Sequence, residues 1–429
     1  MISKFRIQNF RSIVDLTLDF GYGEGKAPNG YKDLDTLPFL TASNKERLVP
    51  CMAFFGANAS GKSNIINAFQ TFKNLIGEVV LKQTSDNGIT PDNHFFEQEP
   101  LQEHYDPNIT NPQNTGSTFE IEFISEDKKF CYGISYTHNA IHKETLSVNG
   151  EIIFSVEDLK ENFASIQSEA YPVCKLAEIM RVEASDGKGH QIRSMLTCFG
   201  TRYAGLHLEI TQAFHFLTSR ILIVSNTRNF PLEVAVYSLS ASMKDNTQKA
   251  LDEIVEIIRR LDVDIQAIKM YKWGTKVKFY SIRKTVSGEL IMCDFEKMES
   301  AGTIRMASLV GWLLCAIKTG SVILVDELDN SLHPFIVREL LKLFKKKRYN
   351  TKNGQLFFTT HETDILEDGI MRVSEITFVR KNLKYGTMAK RLVDLKRENG
   401  ETERDIRNVT NFRRQYLQDY YSGVPHPAL

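Results

Sequence analysis

The chain has no long uninterrupted hydrophobic run. No stretch comes close to the run of about 18 apolar residues that indicates a membrane-spanning helix. Residues 1–6 alternate apolar and polar side chains, as a strand does, and do not resemble a signal peptide. We therefore expect no membrane partner and a cytoplasmic location.

An excess of charge of either sign is also missing. The sequence has 53 Lys and Arg against 53 Asp and Glu, so no overall field directs the protein to nucleic acid or to a membrane surface. A local basic patch is still compatible with this balance. We interpret the basic run at 345–348 as a solvated helix end, which the helix dipole favours.

Closely spaced cysteine pairs are absent as well. The 6 cysteines form no CxxC motif, and several of them have apolar neighbours in the sequence. This pattern predicts neither a disulfide framework nor a zinc site of the CxxC type. Reduced and buried thiols are expected instead.

What the sequence does contain is a phosphate-binding loop. Residues 56–63 read GANASGKS and fit the pattern G-x-x-x-x-G-K-[ST], in which the glycines let backbone N–H groups converge on phosphate oxygens. Lys62 is predicted to bind the β and γ phosphates, and the Ser63 hydroxyl to hold Mg²⁺. An apolar strand pattern at 51–55 precedes the loop and a helical pattern follows it, so the anion would face a helix N-terminus. The predicted nucleotide-binding residues here are Asn58, Ala59, Ser60, Gly61, Lys62 and Ser63.

A second segment, far along the chain, supplies acidic residues. Four apolar β-formers at 322–325 end in Asp326 and Glu327, as expected for a buried parallel strand that delivers carboxylates at its C-terminal edge. Asp326 is predicted to bind Mg²⁺, directly or through water, and Glu327 to act as general base on the attacking water. An isolated Asp-Glu pair is more often an acidic turn, but the phosphate loop upstream favours the catalytic interpretation.

Two further features complete the predicted site. Residues 299–303 form a small-residue loop before a nearly all-apolar helix, where Ser300 adds a hydroxyl to free backbone N–H groups. An apolar strand pattern at 356–360 ends in His361, which could reach a γ-phosphate and the attacking water. Taken alone, the first feature is a helix cap and the second a packing histidine. Their order after the other motifs favours a role in catalysis.

In this order the motifs resemble those of ABC-type ATPases of the SMC, RecF and OLD group. The resembling segments are residues 7–12, 56–63, 300–303, 326–327 and 329–333, together with His361. The resemblance implies an α/β fold, namely an ABC-type P-loop ATPase head with an antiparallel β subdomain, a central mostly parallel sheet with flanking helices, and a mainly helical insertion. It also implies ATP and Mg²⁺ as cofactors. In that group Arg11 would lie near the phosphates, and Ser300 and Gly302 would contact the γ-phosphate held by a second protomer.

Two segments narrow this resemblance. Residues 327–334 and 416–425 are similar to the compact RloA/AbiL-type AAA ATPases of bacterial anti-phage systems, a set that includes the PARIS and Septu ATPase subunits. This implies a homo-oligomer, at least a head-to-head dimer, and an effector partner such as a nuclease or toxin encoded nearby. The sequence departs from the wider group because 299–303 reads ESAGT where the group has LSGGQ. It also has no long heptad repeat, and too few residues follow His361 for a Toprim nuclease domain. The Q-loop glutamine is left open between Gln83 and Gln98.

A chain of 429 residues with 42% hydrophobic content can bury a large core and is expected to hold two or three substructures. We expect four segments: ATPase lobe I at 1–150, a mainly helical insertion or lid at 151–265, ATPase lobe II at 266–395, and a C-terminal tail at 396–429.

Three functions are compatible with these motifs. The first is an ATP-binding and hydrolysing switch that works as a dimer or higher oligomer and controls an effector in anti-phage defence. The second is a RecF/SMC-like DNA-repair ATPase that clamps DNA on ATP binding, against which the neutral net charge argues mildly. The third is a nucleotide-gated scaffold that sequesters a toxin or nuclease and in which hydrolysis is incidental.

Overall fold

The computed structural model describes most of the chain. The described residues are 1–22, 39–40, 46–77, 79–80, 96–97, 101–108, 116–158, 160–166, 172–203, 205–225, 231–261, 264–274, 276–366, 370–382, 386–395 and 412–418. The two Q-loop candidates, Gln83 and Gln98, lie outside these residues, as does most of the tail segment at 416–425.

Strands and helices alternate over much of the described chain. The strands are Ile2–Phe10 (β1), Ile13–Asp19 (β2), Phe39–Leu40 (β3), Arg47–Leu48 (β4), Cys51–Phe55 (β5), Val79–Val80 (β6), Phe96–Glu97 (β7), Ser117–Ser125 (β8), Lys128–Tyr136 (β9), Ile141–Val148 (β10), Glu151–Glu157 (β11), Lys160–Asn162 (β12), Ile221–Val224 (β13), Ala267–Trp273 (β14), Lys276–Lys284 (β15), Leu290–Asp294 (β16), Val322–Val325 (β17), Gln355–Thr360 (β18), Ile376–Asn382 (β19) and Gly386–Arg391 (β20). The α-helices are Lys62–Ile76 (α1), Val173–Ile179 (α2), Met195–Arg202 (α3), Leu208–Ser219 (α4), Leu232–Ala241 (α5), Thr247–Arg260 (α6), Phe295–Met298 (α7), Ala301–Thr319 (α8), Pro334–Lys345 (α9) and Phe412–Leu417 (α10).

One large mixed sheet organises the fold. Its strand order is β12-β11-β10-β9-β8-β1-β2-β20-β19-β5-β18-β17-β13. The strands from β19 to β13 pair in parallel, whereas those from β12 to β19 pair antiparallel. A separate antiparallel sheet contains β14, β15 and β16. The predicted α/β class, with an antiparallel part beside a parallel part, is confirmed.

Strand β5 shows how the parallel half is covered on both faces. Cys51, Ala53 and Phe55 belong to a core cluster that includes buried residues of α5, α6, α8 and α9. Met52 and Phe54, on the other face, belong to a second cluster that includes buried residues of α1, α3 and α4. Because helices cover both faces, all five residues are buried and the strand is continuously apolar instead of alternating. In this half of the sheet, the strands lie between two layers of helices. The phosphate loop, the acidic residues and His361 follow the ends of its strands β5, β17 and β18.

The antiparallel half follows the alternation of its sequence. Strands β1 and β2 form an N-terminal hairpin, in which Phe10 pairs with Ile13 across a turn at residues 11–12. The alternating segments after residue 117 form β8, β9 and β10, which are neighbours in the sheet. Helix α6 is amphipathic, and its apolar stripe is buried.

The segment at 151–265 contains more than the expected helices. It provides α2 to α6, but it also provides β11 and β12 at one edge of the main sheet and β13 at the other. Strand β13 pairs in parallel with β17, the strand that leads to the acidic residues. The division of the chain into four segments stays a prediction.

Helix α8 is long and apolar enough to cross a membrane, by length and composition alone. Most of it is buried inside the fold, as expected for a core helix that is hydrophobic all round. At Gly311 the helix approaches α5 so closely that an added Cβ would lie 3.0 Å from Ala235 Cβ. A larger residue there would require the neighbouring side chains to shift by a few tenths of an ångström.

The structure disagrees in part with the interpretation of the basic run at 345–348 as a solvated helix end. Lys345 is fully buried, and its ammonium group donates to the Glu375 carboxylate and to the Ile370 carbonyl. The Arg372 guanidinium lies 3.9 Å from the same carboxylate. The interpretation as a solvated helix end is therefore wrong for Lys345, because its partner is supplied by a segment that becomes a neighbour only in the fold.

Candidate functional site

The phosphate loop joins the C-terminal end of β5 to the first turn of α1. Gly61 has φ 99°, a conformation that L side chains rarely adopt, and a Cβ there would lie 2.1 Å from Thr387 Oγ1. The Lys62 ammonium donates to the carbonyls of Gly56 at 2.6 Å and Ala57 at 2.8 Å. These contacts hold the loop in a defined shape at the helix N-terminus, where an anion is favoured.

A cavity of about 310 Å³ lies against this loop. It is lined by Ser12, Asn58, Ala59, Ser60, Gly61, Lys62, Ser63, Asn64, Glu327, His361 and Lys381. The structure therefore brings the predicted loop residues together with Glu327 and His361, which follow the ends of neighbouring parallel strands. This is the edge at which α/β sheets bind their ligands.

Asp326 meets the phosphate loop through Ser63. The Ser63 hydroxyl donates to Asp326 Oδ1 at 3.2 Å, and the Thr359 hydroxyl donates to the same oxygen at 2.6 Å. Thr359 Oγ1 also accepts the backbone N–H of Glu327 at 2.7 Å, so one side chain of β18 positions both acidic residues. A hydroxyl and a carboxylate at this spacing are hard oxygen ligands that fit Mg²⁺.

The backbone of Glu327 is held in an uncommon conformation. Its φ is 52°, which is rare for a residue other than glycine, and such strain is concentrated at functional sites. Arg305 Nη2 donates to the Glu327 carbonyl at 3.0 Å, and Asn330 Nδ2 lies 3.5 Å from its Oε2. These contacts fix the residue at the mouth of the cavity.

His361 follows the last residue of β18. Its backbone N–H donates to Asp329 Oδ2 at 3.3 Å. Burial and, to a smaller extent, the positive charge of Lys62 lower the pKa of the imidazole below its ordinary value. This shift favours the neutral imidazole, in which one nitrogen donates and the other accepts.

Ser300 and Gly302 are not among the residues that line this cavity. Ser300 caps α8 by accepting the Thr303 N–H at 3.1 Å and is exposed on the surface. A Cβ at Gly302 would lie 3.1 Å from the Ser331 carbonyl, so the cap packs on the loop that follows the acidic residues. Their predicted contact with a γ-phosphate in a second protomer stays a prediction.

Arg11 also lies outside the cavity lining. Its guanidinium forms an ion pair with Asp106 at 2.9 Å, whereas its neighbour Ser12 lines the cavity. The role of Arg11 near the phosphates stays a prediction.

Several residues that shape the site were not identified from the sequence. Asn64 Nδ2 donates to Ser12 Oγ at 2.6 Å, and Ser12 Oγ lies 2.7 Å from Thr387 Oγ1. Thr387 Oγ1 in turn lies 3.4 Å from the Ser60 carbonyl, so the β1–β2 turn and β20 brace the phosphate loop. Lys381, from β19, adds a second cation to the cavity. No local pattern marks these residues, because strand order alone brings them to the loop.

The ionisation of Lys62 predicts a pH dependence of nucleotide binding. Burial lowers the pKa of Lys62 to about 8, although the carboxylates of Asp326 and Glu327 act in the opposite direction. Nucleotide phosphates favour the charged ammonium and raise this pKa, so binding above about pH 8 must take up a proton. We expect the Kd for ATP to be constant near pH 7 and to increase by up to about tenfold per pH unit above the free-state pKa.

Isothermal titration calorimetry in buffers of different ionisation enthalpy measures both this affinity and the proton uptake. A Lys62→Arg variant is the matched control, since its guanidinium stays charged throughout and its Kd should not follow this trend. A wild-type Kd that is constant well above pH 8, with no proton uptake, would contradict the assignment of Lys62 as the phosphate ligand.

One comparison with known proteins covers part of this site. The family described as "AAA domain, putative AbiEii toxin, Type IV TA system" matches residues 225–367, which include the acidic residues and His361. A search of curated proteins finds no match. Among solved structures, the SMC head domain from Thermotoga maritima is similar at a TM-score of 0.40 and 12% identity, covering 91% of this chain and 98% of that chain. The family match supports an ATPase domain of the AAA type, for which ATP binding is implied.

Proposed function

We propose that the protein binds ATP with Mg²⁺ in the cavity at the phosphate loop and hydrolyses it. The observation that carries this proposal is the hydrogen-bonded series from Ser63 through Asp326 and Thr359 to Glu327. It connects a phosphate loop, a candidate metal ligand and a candidate general base within one site. The match of residues 225–367 to an AAA domain family supports the same activity.

Each group has a defined task in the proposed reaction. Backbone N–H groups of the loop and the Lys62 ammonium hold the phosphates. Ser63 and Asp326 would hold Mg²⁺, which neutralises charge on the phosphate oxygens when bound. Glu327 accepts a proton from the attacking water, and neutral His361 donates a hydrogen bond toward the γ-phosphate. Thr359 and Arg305 keep Glu327 in place.

We propose further that the working unit is a pair of chains. Ser300 is exposed at the N-terminus of the 19-residue helix α8, outside the cavity of its own chain. The free N–H groups of such a helix end attract an anion. In a two-fold pair, the cap of one chain can complete the cavity of the other, and each chain then supplies both halves of a site.

Mixing two inactive variants tests this arrangement. Lys62→Ala removes the phosphate ligand and leaves the cap intact, whereas Ser300→Arg blocks the cap and leaves the phosphate loop intact. Each variant alone is expected to hydrolyse little ATP. An equal mixture should recover about a quarter of the wild-type turnover per chain, since half of the pairs then contain one complete site.

Ser219→Arg, at an exposed helix end elsewhere, is the control for the added charge and should keep wild-type turnover. Full activity of Ser300→Arg alone would show that the cap takes no part in the site. A mixture no more active than its two components would argue against sharing between chains.

We propose that ATP binding and hydrolysis by this protein act as a switch that controls an effector protein in anti-phage defence. Support comes from the resemblance of residues 327–334 to defence ATPases and from a matching family whose description names a toxin–antitoxin system. Co-purification from the native host, with the neighbouring genes present, is expected to yield an effector subunit or a phage protein bound to the chain. Recovery of the chain alone, with and without phage infection, would count against this role.

A further inference from the structure

The separate sheet of β14, β15 and β16 carries a concentration of positive charge. Residues 265–288 contain six Lys or Arg and no Asp or Glu, in a chain whose charges balance overall. The five lysines, at 269, 272, 276, 278 and 284, make no ion pair with a carboxylate within the part of the chain that the structure describes. This sheet therefore presents a local positive field that the net charge hides.

The register of the sheet shows which side chains share its outer face. Ile268 and Phe279 are buried and face the core, so the residues that alternate with them face outward. The outward-facing set is Lys269, Tyr271, Trp273, Lys276, Lys278, Tyr280, Ile282, Lys284, Leu290, Met292 and Asp294. The one acidic residue in this set lies at the end of β16, where it caps α7.

Three aromatic rings form a platform on this outer face. Tyr271 and Trp273 stack with ring centroids 5.8 Å apart, and Tyr280 meets Tyr271 edge-on at 5.6 Å. Tyr271 is 43% exposed and Trp273 is 55% exposed. Contact between the rings fixes their orientation and leaves aromatic surface open to a ligand.

Lysines stand beside these rings in the sheet. Lys278 pairs with Tyr271 across the two strands, and Lys276 pairs with Trp273. Each exposed ring therefore has a lysine directly opposite it on the adjacent strand. An aromatic surface flanked by cations provides stacking for bases and charge for phosphates.

The inner side of the sheet is anchored to the rest of the fold. Arg283 donates to Glu299 at 2.6 Å and 3.0 Å, and Ser281 donates to the same carboxylate at 2.6 Å. Glu299 is the residue before the cap of α8, and its side chain is almost fully buried. These hydrogen bonds tie the inner side of the sheet to the start of α8.

We propose that the outer face of β14–β16 binds single-stranded nucleic acid. Bases stack on Tyr271 and Trp273, and backbone phosphates contact Lys276 and Lys278. A duplex keeps its base faces stacked inside the helix and would leave the aromatic platform unused. An acidic protein would satisfy the lysines but would not require the stacked rings. Because lysines and exposed aromatic rings lie side by side on one face, single-stranded nucleic acid fits this face better than a duplex or an acidic protein does.

Fluorescence anisotropy of the full-length protein with labelled 12-nucleotide dT and U oligomers tests the proposal. Binding is expected to weaken steeply as salt concentration increases. The double substitution Tyr271→Ala with Trp273→Ala should weaken binding by about tenfold or more, since stacking contributes about 1–3 kcal/mol per base. Tyr271→Phe with Trp273→Phe keeps the rings and should retain most of the affinity. Comparison of the dT and U oligomers shows whether the face prefers DNA or RNA.

Two charge variants complete the design. Lys276→Ala with Lys278→Ala should weaken binding. It should also reduce the slope of log affinity against log salt concentration by about one for each phosphate contact that is lost. Lys347→Ala with Arg348→Ala removes the same charge from the basic run after α9 and should change affinity by less than about twofold. Absence of binding by the wild type, or equal binding by the aromatic double variant in a folded protein, would overturn the proposal. Equal competition by polyglutamate would assign the face to an acidic protein and also overturn it.

Discussion

Replacing Lys62 with Ala is expected to raise the Kd for ATP by about 100-fold or more. The variant removes the proposed charged ligand of the phosphates, and hydrogen bonds to charged groups contribute about 1.5–3 kcal/mol each. In the structure the ammonium donates to the carbonyls of Gly56 and Ala57, which holds it at the phosphate loop. Titration calorimetry with ATP and Mg²⁺ measures the change directly.

Thermal unfolding separates loss of binding from loss of structure in this variant. Burial lowers the pKa of Lys62, which means that the folded protein disfavours its charged form. Removing the ammonium relieves this cost but also removes its two hydrogen bonds to the loop, so Lys62→Ala without nucleotide should unfold near the wild-type temperature. Lys188→Ala, in an exposed loop, is the control and should bind ATP normally. Wild-type affinity in a folded Lys62→Ala protein would remove Lys62 from the site.

The second large effect is expected from Glu327→Gln. The substitution keeps the size of the residue, whose φ is 52°, but removes the carboxylate that is proposed to accept a proton. Loss of a general base reduces turnover by about 100-fold to 10,000-fold. Because the residue is not predicted to be a phosphate ligand, the Kd for ATP should change by less than about threefold, the change of a contact worth under 1 kcal/mol.

Phosphate release under saturating ATP, together with the Kd, distinguishes this outcome from a loss of binding. Glu296→Gln, an exposed residue of α7, is the matched control and should keep wild-type turnover. Unchanged turnover in Glu327→Gln would exclude the residue as the general base. Loss of ATP affinity in this variant would assign it to nucleotide binding instead.

The features that the sequence predicted are those with a local pattern. The phosphate loop is contiguous, and its glycines and Lys62 define the motif within eight residues, 56–63. The acidic strand is apolar throughout because both of its faces are covered, and this marks it as a parallel strand at the centre of a sheet. Strand ends in a parallel sheet meet at one edge. The proximity of Glu327 and His361 to the loop was therefore predictable without coordinates.

Contacts that depend on strand order had no comparable signal. Thr359 positions both acidic residues because β18 lies beside β17, and threonine is common in any strand. Lys381 reaches the cavity because β19 pairs with β5, although the two strands are distant in sequence. Lys345 lies in a run that resembles a solvated helix end, and only its buried partner Glu375 shows otherwise. Side-chain type alone predicts such contacts poorly.

Arg305 is a site residue that interrupts an otherwise informative sequence pattern. It lies in helix α8, whose apolar composition marks it as a core helix in which a lone arginine is an exception. In the structure it donates to the Glu327 carbonyl at 3.0 Å and is partly buried near three carboxylates. The exception to the pattern is thus a residue that holds the proposed general base, and such exceptions are expected at functional sites.

The central claim is that the distant motifs of this chain form one ATP site that two chains complete. Phosphate release per chain, measured at saturating ATP and Mg²⁺ over a wide range of protein concentration, tests it most directly. We predict measurable turnover at high concentration that falls as dilution separates the pair, with the midpoint at the dissociation constant of the pair. Turnover per chain that is unchanged down to clearly monomeric dilution, or no phosphate release at any concentration, would contradict the claim.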